Sequence, residues 1–179
     1  NKLVACKEAY DKLNDKPNPP TPPTPPTPSK PTTPSKPKDD KPTTGSSFTD
    51  VPAGSWYEEA VNYVHEKGLM NGTSRNGFSP NATTTRGMIV TILARVEGIN
   101  TNGTPWYAAG QKWAMDNGIS DGTNPNGTIN RAQMVTMLWR AMGQPAAASG
   151  TSFADVPADS YYAQAVAWAI ENGITAGVG

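Results

Sequence analysis

The strongest constraint on this fold is a helix pattern that occurs twice, with a spacing of 45 residues between the copies. In the first copy, residues 83–98, three threonines precede an arginine, apolar residues follow at helical spacing, and a glycine comes last. A threonine hydroxyl can cap the free N–H groups of a first turn, and glycine adopts the left-handed conformation that often ends a helix. We therefore predict a helix with Arg86 in its first turn, capped by Thr84 or Thr85 and followed by Gly98. Its predicted core face consists of Ile89, Ile92, Leu93 and Val96.

The second copy, residues 130–143, matches the first position by position. Asn130 takes the cap position and Gln133 follows three residues later, which predicts a capping box. Arg131 corresponds to Arg86, and in both copies a cation lies where it opposes the helix dipole, so we expect an anionic partner nearby. The predicted core face consists of Met134, Met137, Leu138 and Ala141. Two such copies indicate a tandem repeat.

Another helix pattern precedes each arginine helix and occurs a third time near the end of the sequence. It opens with an aromatic pair, at residues 56–57, 106–107 and 161–162. Ser55 and Glu58 predict a capping box for the first of these helices, and Thr104 predicts the cap of the second. The predicted apolar faces are Tyr57, Ala60, Val61 and Val64 in the first unit and Tyr161, Tyr162, Ala165, Val166 and Ala169 in the third. Each unit is therefore expected to be a helix, a loop and a second helix.

The N-terminal quarter of the sequence has a different composition. Residues 17–47 hold 12 prolines among 31 residues, and proline fixes φ and lacks an N–H donor. We expect an extended spacer that reaches roughly 90 Å at about 3.1 Å per residue, with a ligand for a proline-reading module as the alternative. Residues 1–16 are expected to end an upstream helical segment, so the chain is expected to be a fragment at both ends. The remaining boundaries are predicted as repeat 1 at 48–98, a degenerate repeat 2 at 99–143, a short linker at 144–152 and a truncated repeat 3 at 153–179.

Composition argues against several classes of function. The sequence holds 15 basic and 15 acidic residues, and residues 48–179 carry 7 basic against 10 acidic side chains, so the basic stripe that nucleic-acid binding needs is missing. With one cysteine and one histidine, the sequence cannot form an internal disulfide, a cysteine metal cluster or a two-histidine zinc site. No apolar run approaches the roughly 20 residues of a membrane span. The adjacent Glu58 and Glu59 do not form an acid–base pair, so we expect no catalytic site, metal or cofactor here.

The units resemble the S-layer homology repeat. The resemblance rests on FTDVPAGSWYEEAVNYVHEKGLMNG, on the loop FSPN and on TTTRG, and it covers residues 48–179. The shared elements are the opening Phe-x-Asp-Val, an aromatic residue at the first helix, a Gly-Leu/Ile-x-x-Gly exit, a Phe-x-Pro loop and a Thr-Arg start of the second helix. The sequence departs from the family at Asn130 for the motif threonine, at Met88 and Gln133 for its glutamate, and at Asn100 for the aspartate of the second unit.

The resemblance implies an all-α fold in which three repeats pack around a pseudo-threefold axis. It also implies that grooves between repeats bind a secondary cell-wall polysaccharide, typically with pyruvate ketals, and so anchor an extracellular bacterial surface protein to the cell wall without a covalent bond. The family's groove residues, carried over by position, are Arg86, Arg131, Asp50, Asp155, Trp56, Trp106, Gly72 and Gly122, with Tyr161 and Gly177 in the third unit.

The chemistry of these residues suits such a ligand. A guanidinium can meet a ketal carboxylate with two parallel charge-assisted hydrogen bonds, and an indole offers a flat apolar platform for a sugar ring. Two alternatives stay open. The arginines could form salt bridges with Asp50 and Asp155 or their neighbours while the tryptophans lie at least partly in the core. The repeats could instead drive self-assembly and lateral contacts with other surface proteins.

Overall fold

The computed structural model describes residues 47–150 and 153–177, and within these ranges it contains five α-helices and no strand. The helices are α1 (Glu58–Glu66), α2 (Arg86–Val96), α3 (Ala108–Asp116), α4 (Arg131–Ala141) and α5 (Ala163–Glu171). The all-α class is thereby confirmed. The predictions for residues 1–16 and for nearly all of the spacer fall outside the described residues, and the pseudo-threefold packing stays a prediction.

The two arginine helices begin where their cap residues predict. Thr85 Oγ1 accepts a hydrogen bond from the Met88 N–H at 3.3 Å. Asn130 accepts from the Gln133 N–H at 2.9 Å, and the Gln133 side chain accepts in return from the Asn130 N–H, which completes the predicted capping box. Both caps are local hydrogen bonds over three residues, so the sequence alone is sufficient to predict them.

The caps predicted for the other helices are wrong. Helix α1 has Tyr57 as its N-cap residue and no side-chain cap, and the Ser55 hydroxyl is buried without a hydrogen-bond partner in the described part of the chain. Glu58 instead accepts from the Gly54 N–H through Oε2 at 2.6 Å. Helix α3 likewise begins after Tyr107, too far along the chain for Thr104 to cap it. In both units the residues before the helix form a turn, which delays the helix start.

Helix pairing crosses the boundaries of the sequence repeats. Helix α2 packs against α3 of the next unit, α4 packs against α5, and α2 also contacts α4. Helix α1 packs on the loops of its own unit, where Phe48, Val51 and Val61 form a small core with Tyr57 and Phe78. The arginine helices are therefore the elements that join one unit to the next.

This pairing explains why the predicted core faces were only partly right. In α2, Leu93 is buried as predicted, but the other most buried apolar side chains are Val90 and Ala94, because α2 is covered by α3 and α4 from two sides. In α4, Met137 is buried and Met134 is exposed. The face of α5 is buried as predicted at Ala165, Val166 and Ala169, whereas Ala60 of α1 is exposed.

Backbone hydrogen bonds join the start of α2 to the loop of the second unit. The first N–H groups of a helix have no partner within it, and here Arg86 N–H donates to Gly127 O at 3.0 Å and Gly87 N–H to Pro125 O at 2.7 Å. Ile129 N–H donates back to Thr84 O at 3.1 Å. The side chain of Arg86 is therefore directed into the second unit from its origin in the first.

Candidate functional site

Arg86 binds the exit turn of the second unit, residues 119–121, and the residues just after it. Its Nε donates to Thr123 O at 2.9 Å, and its Nη2 donates to Ser120 Oγ at 3.4 Å and pairs with the carboxylate of Asp121. The side chain of Arg86 is 14% exposed, while that of Asp121 is largely open to solvent. Hydrogen bonds from Thr123 hold the pKa of Asp121 below its ordinary value, and the charge of Arg86 lowers it further.

Arg131 makes the corresponding contact one unit later. Its Nη2 donates to Thr175 Oγ1 at 2.9 Å, and Thr175 holds the position in the third unit that Ser120 holds in the second. Arg131 is exposed, and among the described residues it has no acid within salt-bridge distance. The first-turn arginines of the first two units, Arg86 and Arg131, thus each reach the exit turn of the next unit.

Two further arginines belong to the same arrangement, and the sequence interpretation missed them. Arg95 Nη1 donates to Leu69 O at 2.9 Å, and Arg140 Nη1 donates to Ile119 O at 3.4 Å. Each therefore reaches the exit turn of its own unit. The signal was present in the sequence, because TILARVEG and TMLWRAMG carry their arginine at the same place in the repeat.

The exit turn of the second unit is therefore approached by Arg86 from one repeat and by Arg140 from the next. Beside this turn lies an open cavity of about 300 Å³, here called the second groove. It is lined by Arg86, Ile119, Ser120, Asp121, Gln133, Thr136, Met137, Arg140 and Tyr161. Two guanidinium groups and one carboxylate leave this groove with a net positive charge.

A first groove occupies the corresponding place one unit earlier and has a different chemistry. Its cavity of about 500 Å³ lies beside Arg95 and is edged by Trp106. Met88 and Met70 stand where the second groove has Gln133 and Ser120, so the first groove is the more apolar of the two. Its remaining lining residues are Leu69, Asn71, Gly72, Thr73, Phe78, Thr91 and Ile92.

The first aromatic residue of each unit is displayed on the surface. Trp56 is 93% exposed, Trp106 47% and Tyr161 60%, and each ring stands nearly perpendicular to the ring of the tyrosine that follows it. The interpretation of Trp56 as partly buried is therefore wrong. Trp106 edges the first groove and Tyr161 the second, so the aromatic residue comes from the unit after the exit turn.

The motif aspartates lie away from the two arginine grooves. Asp50 accepts hydrogen bonds from the N–H groups of Phe78 at 2.8 Å and Ser79 at 2.7 Å, and these bonds lower its pKa. Asp50 thereby holds the Phe-x-Pro loop against its own unit. The anionic partner of Arg86 is accordingly Asp121 rather than Asp50. Asp155 lines a third cavity, together with Arg131.

The exit glycines make a left-handed turn that also leaves room for a neighbouring side chain. Gly72 has φ near +80°, and a Cβ there would lie 2.7 Å from the ring of Phe48. At Gly122 a Cβ would overlap the side chain of Met115 instead. The positive φ favours glycine at both positions, and at Gly72 the backbone carbonyl of Gly77 and the ring of Phe48 also leave no room for a Cβ. Gly72 also lines the first groove.

The sequence model of the S-layer homology domain matches residues 47–87 and 152–179. Both segments are S-layer homology sequences. The first match ends at the start of α2, where Arg86 enters the second unit, and the whole second unit lies outside both matches. The degenerate character of that unit, based on Asn100, stays a prediction.

The curated proteins that this chain matches include S-layer proteins of bacilli. The chain is 38% identical over 52 residues to an S-layer protein of Bacillus thuringiensis subsp. finitimus, and 36% and 35% identical to the S-layer proteins Sap and EA1 of Bacillus anthracis. Each match covers 29% of this chain and 6% of the relative, so the chain spans only a small part of those proteins.

The matched segments indicate a structural or anchoring module, and a bacterial protein of the cell surface that is associated with the cell wall. S-layer homology domains bind cell-wall polymers as a class. In the described ranges, no helix is long and apolar enough to cross a membrane. Residues 47–150 and 153–177 also bring together no group of three histidine, cysteine or acidic side chains that could hold a metal ion.

Proposed function

We propose that this module anchors its protein by binding a carboxylate-bearing residue of a secondary cell-wall polysaccharide in the second groove. The observation that carries the proposal is the convergence of Arg86 and Arg140, from successive repeats, on one exit turn beside an open cavity. We also propose that the module has no catalytic role.

The charge and geometry of the groove suit an acidic sugar. The hydrogen bonds of Arg86 within the described protein use Nε and Nη2, so Nη1 is available to a ligand. Arg140 adds a second cation, and Asp121 balances only one of the two. A pyruvate ketal carboxylate would neutralise the excess charge with charge-assisted hydrogen bonds. Tyr161, at the edge of the groove, offers its ring to an apolar sugar face.

The other predicted site residues enter the proposal in different ways. Trp106 would stack on a neighbouring sugar in the first groove, and Arg131 would contact polymer beside the third unit. Trp56, which is exposed and lies outside the three cavities of the described residues, would offer its ring to polymer on the surface of the first unit. Gly72 and Gly122 would shape the exit turns, while Asp50 and Asp155 would act by holding loops near the polymer. Several weak grooves on a repeating polymer gain strength through effective concentration.

The test is a pull-down on purified cell walls with the wild-type chain and three variants. We expect Arg140→Ala and Arg86→Ala each to weaken binding by about tenfold or more, the value of one lost charge-assisted hydrogen bond. Arg75→Ala removes a cation from an exposed loop outside the grooves, and it should bind as the wild type does. Circular dichroism should show that Arg86→Ala keeps nearly all of its helicity.

Removal of the pyruvate groups from the walls separates this proposal from the alternative of self-assembly. We expect pyruvate removal to lower wild-type binding to the level of Arg140→Ala. Wall binding that is unchanged by pyruvate removal and by both arginine substitutions would contradict the proposal. If the protein also assembles in the absence of walls, the results would favour a structural module of a surface layer.

A further inference from the structure

Gln133 is a polar side chain of the second groove to which the anchoring proposal gives no role. It lies in the first turn of α4, three residues after the cap residue Asn130. It also lines the same cavity as Arg86 and Arg140. Gln133 therefore belongs to a helix cap and to a ligand groove at the same time, and the two places make different demands on its side chain.

The capping box determines which atom of the Gln133 amide is available to a ligand. Its Oε1 accepts from the Asn130 N–H at 3.2 Å, and in a side-chain amide only the oxygen can accept a hydrogen bond. Nε2 is the atom left over, and its two N–H groups form no hydrogen bond within the described part of the protein. Because the side chain is half-buried and held by the cap, Nε2 is a preorganised donor.

The absence of charge on this residue matters to the groove as well. A glutamate at position 133 would also complete the capping box, and its negative charge would be favourable at the start of a helix. It would, however, join Asp121 as a second carboxylate in the groove and balance both guanidinium groups. Glutamine gives up the interaction with the helix dipole and leaves one positive charge unbalanced, so the groove keeps its attraction for an anion.

The smaller polar side chains of the groove are already engaged within the protein. Thr136 Oγ1 donates to Ala132 O at 2.7 Å, so its proton is used. Ser120 Oγ accepts two hydrogen bonds, and the residue is 9% exposed. Gln133, with two unused N–H groups, therefore offers more to a ligand than either hydroxyl.

The first groove has no equivalent donor. Met88 holds the place of Gln133 there, and a thioether sulfur has no hydrogen to donate. Thr85 caps α2 without a return bond from Met88. The amide therefore occurs in the groove where two arginines converge on one exit turn, and not in the groove where Arg95 is the lining arginine.

We propose that Gln133 determines the specificity of the second groove. Its Nε2 donates a hydrogen bond to the same ligand carboxylate that Arg86 and Arg140 bind, and its lack of charge keeps the groove open to that anion. This inference rests on the proposed function, since it concerns the same ligand in the same groove. A carboxylate has two oxygens with several lone pairs, so it can accept from a guanidinium and from the amide together.

Gln133→Glu separates the role of this residue in the cap from its role in the groove. Glutamate also accepts from the Asn130 N–H, so the midpoint of urea unfolding should stay at the wild-type value or rise. Binding to purified pyruvylated cell walls should nevertheless fall by about tenfold or more, because a donor is lost and a carboxylate is added beside that of the ligand. The matched control is Gln144→Glu, which adds the same charge at an exposed residue that lines none of the three cavities and should bind as the wild type does.

Gln133→Met tests the donor without a change of charge, because it gives the second groove the residue found in the first. We expect wall binding to be about tenfold weaker, measured where circular dichroism shows the variant to be fully folded. On walls stripped of pyruvate, the wild type and Gln133→Met should bind equally, since the carboxylate that accepts from Nε2 is gone.

Two results would overturn the inference. One is binding of Gln133→Met at the wild-type level, because charge alone would then explain any loss in Gln133→Glu. The other is a loss in Gln133→Met that persists on pyruvate-free walls, because the amide would then contact a different group. If Arg140→Ala and pyruvate removal still weaken binding, either result leaves the proposed function standing. If neither of them does, the proposed function itself is wrong.

Discussion

Gly110 of α3 lies directly against the backbone of Thr91 in α2: a Cβ built at Gly110 would stand 2.7 Å from Thr91 Cα. This approach is closer than real Cβ contacts allow, so the two helices can pack at this point only with glycine in α3. The contact joins the second helix of one repeat to the first helix of the next. Helices that pack tightly against each other therefore come from neighbouring sequence repeats rather than from the same repeat.

Gly110→Ala should therefore destabilise the protein although alanine is the better helix former. We expect a loss of about 1–3 kcal/mol in the free energy of unfolding, as for overpacking in a tight core. Urea unfolding followed by circular dichroism measures it. Gly150→Ala is the matched control, because a Cβ there meets nothing within 4 Å. An unchanged midpoint in Gly110→Ala would mean that α2 and α3 do not pack this closely.

Arg95 holds the junction between the first and second units. It donates to Leu69 O and, through Nε at 2.8 Å, to Thr101 Oγ1. Its removal leaves partly buried acceptors without a charged donor. We expect Arg95→Ala to lower the free energy of unfolding by about 1.5–3 kcal/mol. Arg75→Ala should change it by less than about 0.5 kcal/mol in the same urea titration, and equal effects of the two variants would contradict this role.

Asp50 should make the first unit sensitive to acid. Hydrogen bonds from Phe78 and then Ser79 lower its pKa below the ordinary value of 3.8. A carboxyl group whose pKa is lowered by folding stabilises the folded state above its unfolded pKa, and this contribution is lost as the pH falls through the folded pKa. We expect the melting temperature of the wild type to drop from just above pH 3.8 downward. The drop should be smaller in Asp50→Asn.

The control for this pH series is Asp159→Asn, which removes an exposed acid and leaves the loop contacts intact. Its melting temperature should follow that of the wild type at every pH. If Asp50→Asn and the wild type lose the same number of degrees on acidification, the loop contacts of Asp50 do not stabilise the fold.

Substitution of a tryptophan should lower the free energy of unfolding strongly only where the ring is buried. Trp56 is 93% exposed, whereas Trp168 of α5 is 6% exposed and lies in the core between α4 and α5. We expect Trp168→Ala to cost about 3–5 kcal/mol in urea unfolding. Trp56→Ala should stay within about 0.5 kcal/mol of the wild type. A large loss in Trp56→Ala would show that this ring is covered in solution.

Sequence alone was sufficient for features that depend on neighbouring residues. The caps at Thr85 and Asn130 follow from side chains that bond to N–H groups three residues away, and the positive φ of Gly98 follows from its place after an apolar helix. The repeats were also recognisable, because the spacing of apolar residues reflects the helix period directly. The all-α class of the fold follows from these local rules.

Only the tertiary structure decided which surfaces meet. Arg86 finds Asp121, 35 residues along the chain, because α2 is inserted into the loop of the next unit. Trp168 is buried whereas Tyr63, at the same place in the first unit, is half-buried, because α4 covers α5 and, in the described residues, no helix covers α1. Periodicity gives the face of a helix that tends to be buried, whereas its partner depends on the packing of distant segments, which no local pattern encodes.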